Sequence, residues 1–138
     1  LYSAFYINEL INYLIAQADE TVEIFDLYKK CIANLKKNNS IEKTLRNFEL
    51  DILSVLGYEI NFQSDYDNNE PIISGCNYTY SPQSGFLKSK NGYDGKMLNE
   101  INKREFSKYS LRICKEINRS TINYYFEELN IKSRIFFK

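Results

Sequence analysis

Histidine is absent from all 138 residues, which removes the commonest general acid/base and the commonest metal ligand together. Cysteine is scarce: Cys31, Cys76 and Cys114 are odd in number and far apart, a pattern of neither a disulfide framework nor a zinc site. Among the few glycines, Gly85, Gly92 and Gly95 show neither the Gly-Lys-Ser/Thr nor the GxGxxG arrangement of a phosphate-cradling loop. No apolar run approaches the ~18 residues that a membrane span needs. Asn8 and Glu9 interrupt the first apolar stretch, so no signal peptide is expected. Asp65, Asp67 and Glu70 are the densest acidic cluster, but the glycine and bidentate glutamate of an EF-hand are out of place. A solvated loop is the expectation there. These absences exclude most catalytic chemistries. The chain is expected to be no enzyme, to hold no metal and to need no cofactor.

What is present suits one compact domain with a real core. Apolar residues make up 43% of the chain, which argues against global disorder. The balance of 18 basic and 18 acidic residues hides a division. Residues 1–72 carry six Lys/Arg against twelve Asp/Glu, net −6, whereas residues 73–138 carry twelve against six, net +6. Such asymmetry fits a basic face for an anionic partner, and it fits two halves that neutralise one another equally well. Composition alone does not choose.

Helical periodicity dominates the first part of the chain. Tyr6, Leu10, Tyr13 and Leu14 mark one helix between about Ser3 and Gln17. Asp19 or Thr21 caps a second, whose apolar positions are Val22, Phe25, Tyr28, Ile32 and Leu35. Ser40 caps a third, with Ile41, Leu45, Phe48, Ile52, Val55 and Leu56, and Gly57 stops it. Residues 58–95 have another texture, with Gly, Pro, Asn, Asp and Ser around short apolar runs at Tyr58–Phe62 and Cys76–Tyr80. Ser81-Pro82-Gln83-Ser84-Gly85 reads as a turn before Phe86 and Leu87, so a small insert with a β-hairpin is expected. A short helix then carries Met97, Leu98 and Ile101 and ends near Arg104. A longer one runs from about Ser107–Ser110 to Leu129, with Tyr109, Ile113, Ile117 and Tyr124 expected on its apolar side. Cys31 and Cys114 lie within helical patterns, where a small buried packing role is the expectation.

Two features could hold an anion. Arg112, Lys115 and Arg119 fall within about 60° of one another around the long helix, and Lys108 joins them if the helix starts early enough. A row of cations binds a nucleic acid without any special pocket, although a charged outer face is also ordinary for an amphipathic helix. The 21 Tyr and Phe residues could stack bases of single strands or form an apolar socket for a peptide, but most must fill the core. Arg46 sits four residues after Glu42 and three before Glu49. That spacing serves a helix-surface ion pair, or a guanidinium offered to a partner carboxylate.

The order of motifs resembles the C-terminal domain of the RecO family of DNA repair proteins. Leu1-Tyr2-Ser3-Ala4-Phe5-Tyr6-Ile7-Asn8-Glu9-Leu10 is similar to that domain's first helix. Leu45-Arg46-Asn47-Phe48-Glu49-Leu50 followed by Leu56-Gly57-Tyr58 is similar to the family's Arg-x-Phe-Glu … Leu-Gly-Tyr signature. Leu98-Asn99 … Arg104-Glu105-Phe106 and Ile131-Lys132-Ser133-Arg134 resemble its two later landmarks. The four together cover essentially the whole chain.

The resemblance implies a mainly α fold: a three-helix cluster at 1–57, a β/loop insert at 58–95, and a short helix, a long helix and a tail at 96–138. Because the chain opens on Leu1, a fragment is expected, with the family's N-terminal OB-fold absent. The resemblance also implies a recombination mediator, cytoplasmic and nucleoid-associated in a bacterium and independent of membranes. Such proteins bind single- and double-stranded DNA, anneal complementary strands, and load the recombinase with RecR, and often RecF, onto strands coated by single-stranded-DNA-binding protein (SSB). The acidic C-terminal tail of SSB, which ends in Pro-Phe, is the implied peptide partner. Arg46 is the implied contact, with the tail cations Lys132 and Arg134 as candidates beside it, and the row Lys108, Arg112, Lys115 and Arg119, found by helical spacing, is the candidate DNA contact. Many members carry a Cys-x-x-Cys … Cys-x-x-Cys zinc module after Leu-Gly-Tyr. Here that place reads Asn61-Phe62-Gln63-Ser64-Asp65-Tyr66-Asp67, so zinc is expected to be absent. The competing expectation is a helical scaffold for RecR assembly or self-association that contacts neither the SSB tail nor DNA.

Overall fold

A computed structural model describes residues 8–12, 21–37 and 40–125 of the chain. Residues 8–12 are helical and bury Leu10 and Ile11. Tyr6, Tyr13, Leu14, the cap candidate Asp19 and the cations Lys132 and Arg134 lie outside the described residues. Two compact units are distinguished, one comprising residues 1–59 with 126–138 and the other residues 60–125.

In the first unit, α1 (Thr21–Lys36) packs against α2 (Ile41–Val55). The face of α1 that turns inward is centred on Ile24 and Cys31, both buried. Val22 and Phe25, expected on that face, are instead 75% and 43% exposed. At about 100° per residue Val22 lies far around the helix from Ile24, and Phe25 falls about 100° away, so a stripe centred on Ile24 leaves both outside. Helix α2 begins as its sequence predicts. Ser40 is the N-cap, and its hydroxyl accepts the Lys43 N–H at 3.3 Å. Leu45, Phe48, Ile52 and Leu53 form its buried side. Gly57 then takes a φ of +88°, a left-handed conformation that glycine adopts freely, and Tyr58 N–H closes the end on the Leu53 carbonyl at 2.8 Å.

The second unit opens with a loop and a hairpin. Strands β1 (Asn77–Ser81) and β2 (Gly85–Ser89) pair antiparallel around the turn that Pro82 and Ser84 announce, with Asn77 opposite Ser89 and Ser81 opposite Gly85. A short third strand, β3 (Tyr93–Asp94), adds to the other edge of β1 and gives the order β2-β1-β3. Its two residues are too few for alternation to be legible in the sequence. Tyr58–Phe62, by contrast, is not a strand.

Asp94 then caps α3 (Gly95–Lys103), and Arg104 ends that helix in the left-handed region at φ 59°. Gly95 is required here, because a Cβ would collide with the Ile73 carbonyl. Helix α4 (Lys108–Tyr125) completes the unit. Its core consists of Phe62, Ile72, Tyr78, Phe86, Leu98, Ile101, Cys114, Ile117 and Ile122, all buried. Phe86 packs its ring against Phe62 and Tyr80, with centroids 5.4 and 4.8 Å away. The Tyr80 hydroxyl bonds Thr121 Oγ1 at 2.7 Å and so ties the sheet to α4.

Candidate functional site

On the first unit, Arg46 lies six residues after the Ser40 cap of α2, on the buried side of the helix. Spacings of four and three residues bring Glu42 and Glu49 to the same side of the helix. Arg46 Nη1 lies 2.9 Å from Glu42 Oε2. Arg46 Nε lies 2.7 Å from Glu49 Oε1, and Nη2 donates to Glu49 Oε2 at 3.2 Å, a two-pronged pairing. The environments of the two carboxylates differ. The side chains of Arg46 and Glu49 are 3% and 6% exposed, whereas that of Glu42 is 49% exposed. Arg46 is therefore an interior guanidinium, with a permanent carboxylate on one edge and a solvent-facing one on the other. Nearby, burial first and the Glu49 charge second push the Cys31 thiol up to about 12. That thiol is an inert packing group.

A cleft of about 420 Å³, lined by Asn34, Ser40, Lys43, Thr44 and Asn47, opens where the end of α1 meets the start of α2. Its wall is polar, and Lys43 is the cation among these lining residues.

On the second unit, α4 sorts its residues differently from the expected pattern. Tyr109 and Tyr124, expected inward, are 63% and 47% exposed. The face that is buried carries Ser110, Cys114, Ile117, Asn118, Thr121 and Ile122. Half of these are polar, and hydrogen bonds allow their burial. Ser110 Oγ accepts the Ser107 N–H at 2.8 Å, Asn118 Nδ2 lies 3.4 Å from Cys114 Sγ, and Thr121 Oγ1 donates to the Ile117 carbonyl at 2.7 Å. Cys114, expected buried, is buried.

The four cations expected as an anion contact share one flank of α4. Lys108 and Arg112 are exposed, and Lys115 and Arg119 are half-buried. Glu116, also exposed, lies about 40° around the helix from Arg112 and breaks the purely basic character. Arg46 belongs to the other unit and is not part of this row.

The loop at the zinc module's place closes on itself. Ser64 and Pro71 form an isolated antiparallel bridge, Asp65 N–H donates to the Glu70 carbonyl at 3.0 Å, and Ile72 N–H to that of Gln63 at 3.0 Å. The Asp65 carboxylate is buried and accepts the Asn68 N–H at 2.7 Å. The loop has no thiol or imidazole donor, and its buried carboxylate is committed to the turn. These residues do not fit zinc.

Comparison with known proteins gives this geometry a lineage. A family model described as recombination protein O C terminal matches residues 1–135. A DNA repair protein RecO from Shigella flexneri is 33% identical over 144 residues, which cover 100% of this chain and 60% of that protein. The RecO of Haemophilus influenzae (strain PittGG) is 32% identical over 142 residues, with 99% of this chain and 60% of that protein covered. The RecO of Pseudoalteromonas translucida is 31% identical over 141 residues, 99% of this chain and 61% of that protein. The chain thus spans about 60% of the length of these curated relatives.

Proposed function

The chain belongs to the RecO C-terminal family, and on that premise we propose that it serves DNA repair as a non-catalytic mediator domain that binds the acidic C-terminal tail of SSB. In this reading it also supports DNA binding, strand annealing and recombinase loading with RecR in the RecF pathway, in the bacterial cytoplasm at the nucleoid. The observation that carries the reading is the unequal pair of carboxylates on Arg46. Glu49 holds one edge of the guanidinium in a fixed plane. Glu42, half in solvent, covers Nη1 from the open side. A carboxylate of the tail peptide can replace Glu42 at little cost and meet a cation that is already oriented. Lys132 and Arg134 are assigned to the same peptide, and Lys108, Arg112, Lys115 and Arg119 to DNA phosphates.

Titration of the 138-residue chain with a peptide copying the tail tests this. Arg46→Ala should weaken binding at least about tenfold, and deletion of the terminal Phe should nearly abolish it. Equal affinity for a tail without its Phe overturns the proposal. One observation favours a second reading, a scaffold for RecR or for self-association: Val22, Phe25 and Ile41 expose apolar surface at 75%, 43% and 52%. A mass that rises with concentration in light scattering, with no response to tail peptide or DNA, would select it.

A further inference from the structure

Of all the asparagines in the chain, Asn91 alone is followed by glycine, and three residues later Asp94 is followed by Gly95. Both pairs carry the same latent chemistry. A glycine nitrogen has no side chain beside it, and its backbone turns freely enough to reach the carbonyl carbon of the preceding side chain. The structure treats the two pairs differently. Asn91 and Gly92 lie in an exposed bend between β2 and β3. Neither the Asn91 side chain nor the Gly92 N–H has a hydrogen-bond partner among the described residues. The bend is fastened on its flanks: Asn77 Nδ2 donates to the Lys90 carbonyl at 3.1 Å, and Tyr93 pairs with Tyr78. Asp94 and Gly95 are themselves held. The Gly95 N–H donates to the Cys76 carbonyl at 2.8 Å, and Asp94 Oδ1 accepts the Lys96 and Gly75 N–H groups at 2.9 and 3.2 Å. Gly95 is also buried, against the Ile73 carbonyl.

We propose that Asn91–Gly92 is a self-modification site at which the folded chain converts its asparagine into aspartate and isoaspartate, while the fold shields Asp94–Gly95 from the same cyclisation. The Gly92 nitrogen bonds to Asn91 Cγ and gives up its proton, the Cγ–Nδ2 bond breaks, and ammonia leaves with that proton. Water then opens the five-membered imide. Opening at Cγ gives aspartate, and opening at the main-chain carbonyl gives isoaspartate, whose main chain runs through Cβ and Cγ. One water is consumed and one ammonia released, with nothing oxidised or reduced. Lys88, Lys90 and Lys96 in the same stretch are exposed. Their charges favour both the deprotonated amide that attacks and the carboxylate that results. Isoaspartate lengthens the main chain just before Gly92, which passes so close to the Tyr78 carbonyl that a Cβ would collide with it. The extra length is therefore taken up in the bend, on the Lys90 side. None of this depends on what the chain binds.

The test ages the 138-residue chain at mildly alkaline pH, once native and once unfolded in guanidinium chloride, and follows both pairs by peptide mapping. Conversion of Asn91 changes the mass by the exchange of NH for O, and isoaspartate at either position is recognised from its electron-transfer fragments. Asn91 should convert in the native chain within about threefold of its unfolded rate, whereas Asp94 should be slowed at least about tenfold by the bonds that must first break. Folding must protect Asp94 about tenfold more than Asn91, and any smaller difference overturns the proposal. Another asparagine converting as fast as Asn91 in the native chain overturns it as well. Asn91→Gln keeps the amide but would need a six-membered ring. It should leave the urea midpoint unchanged and lose the conversion, and a mass increase that persists at the same rate in this variant places the reaction elsewhere.

Discussion

Arg46 and Glu49, three residues apart on α2, meet through two parallel contacts inside the first unit, Nε to Oε1 at 2.7 Å and Nη2 to Oε2 at 3.2 Å. Removing one member of such a buried pair strands the other without a counter-charge. Glu49→Ala should therefore cost about 3–5 kcal/mol in urea unfolding. Glu42→Gln, at the half-exposed end of the same network, should cost less than Glu49→Ala, because Glu49 still pairs the guanidinium. The same Glu42→Gln change should tighten binding of the SSB tail peptide, since the displaced carboxylate is gone. A weaker peptide affinity in this variant would contradict the exchange of Glu42 for a peptide carboxylate.

Asp94 should give the second unit an acid sensitivity. The Lys96 and Gly75 N–H groups, which reach its Oδ1 at 2.9 and 3.2 Å, hold its carboxyl below the ordinary value of 3.8. A depressed folded value means a contribution that is complete above 3.8 and is lost as pH falls through the lower folded value. Asp94→Ala should lower stability by about 1 kcal/mol at pH 7, as loss of a helix cap does. The gap between variant and parent should narrow below pH 3.8, which urea midpoints across pH 2.5–7 would record.

Tyr80 should produce the opposite dependence at the alkaline end. Burial pushes its phenol up to about 12 from 10. A raised folded value gives stability that is complete below pH 10 and fades as pH rises from 10 towards about 12. Tyr80→Phe removes the 2.7 Å bond to Thr121 and should cost about 1 kcal/mol near neutrality. It should also flatten the alkaline fall. A fall of the same steepness in the variant would assign the effect to another group.

The three thiols should differ in reactivity. With Cys31 pushed up to about 12 and buried, almost none of it is thiolate at pH 8. Cys114 is fully buried as well, while Cys76 is half-buried beside the hairpin. Alkylation followed by mass spectrometry of the native chain should label Cys76 first and the other two only as the chain unfolds.

The parts of the fold that were legible in the sequence are those that depend on near neighbours. Ser40 and Gly57 bracket α2 because a cap hydroxyl and a left-handed glycine act within one turn. Ser81–Gly85 announces the hairpin for the same reason. Arg46 was legible as a partner of Glu42 and Glu49, but its burial was not, since that depends on what packs over α2. The orientation of α4 was the least legible. Its inward face relies on Ser110, Asn118 and Thr121, whose polarity argues for solvent until distant partners such as Tyr80 are known. Tyr109 and Tyr124 then looked like core residues by default, because a phenol ring satisfies an apolar pattern whether it faces in or out.

A loop fastened by its own peptide groups assembles on a different schedule from one fastened by an imported ion. Between Gln63 and Ile72 the fastening consists of main-chain bonds and the Asp65 turn, all supplied by the polypeptide itself. Where a module needs zinc, its folding free energy includes the binding of the metal, so the folded fraction follows the free zinc concentration and collapses under a chelator. Here the loop supports the hairpin through a main-chain bond of its own, Tyr66 N–H on the Phe86 carbonyl at 2.9 Å. We predict that the urea midpoint of this unit is the same with and without a zinc chelator, and a midpoint that falls with the chelator would contradict it.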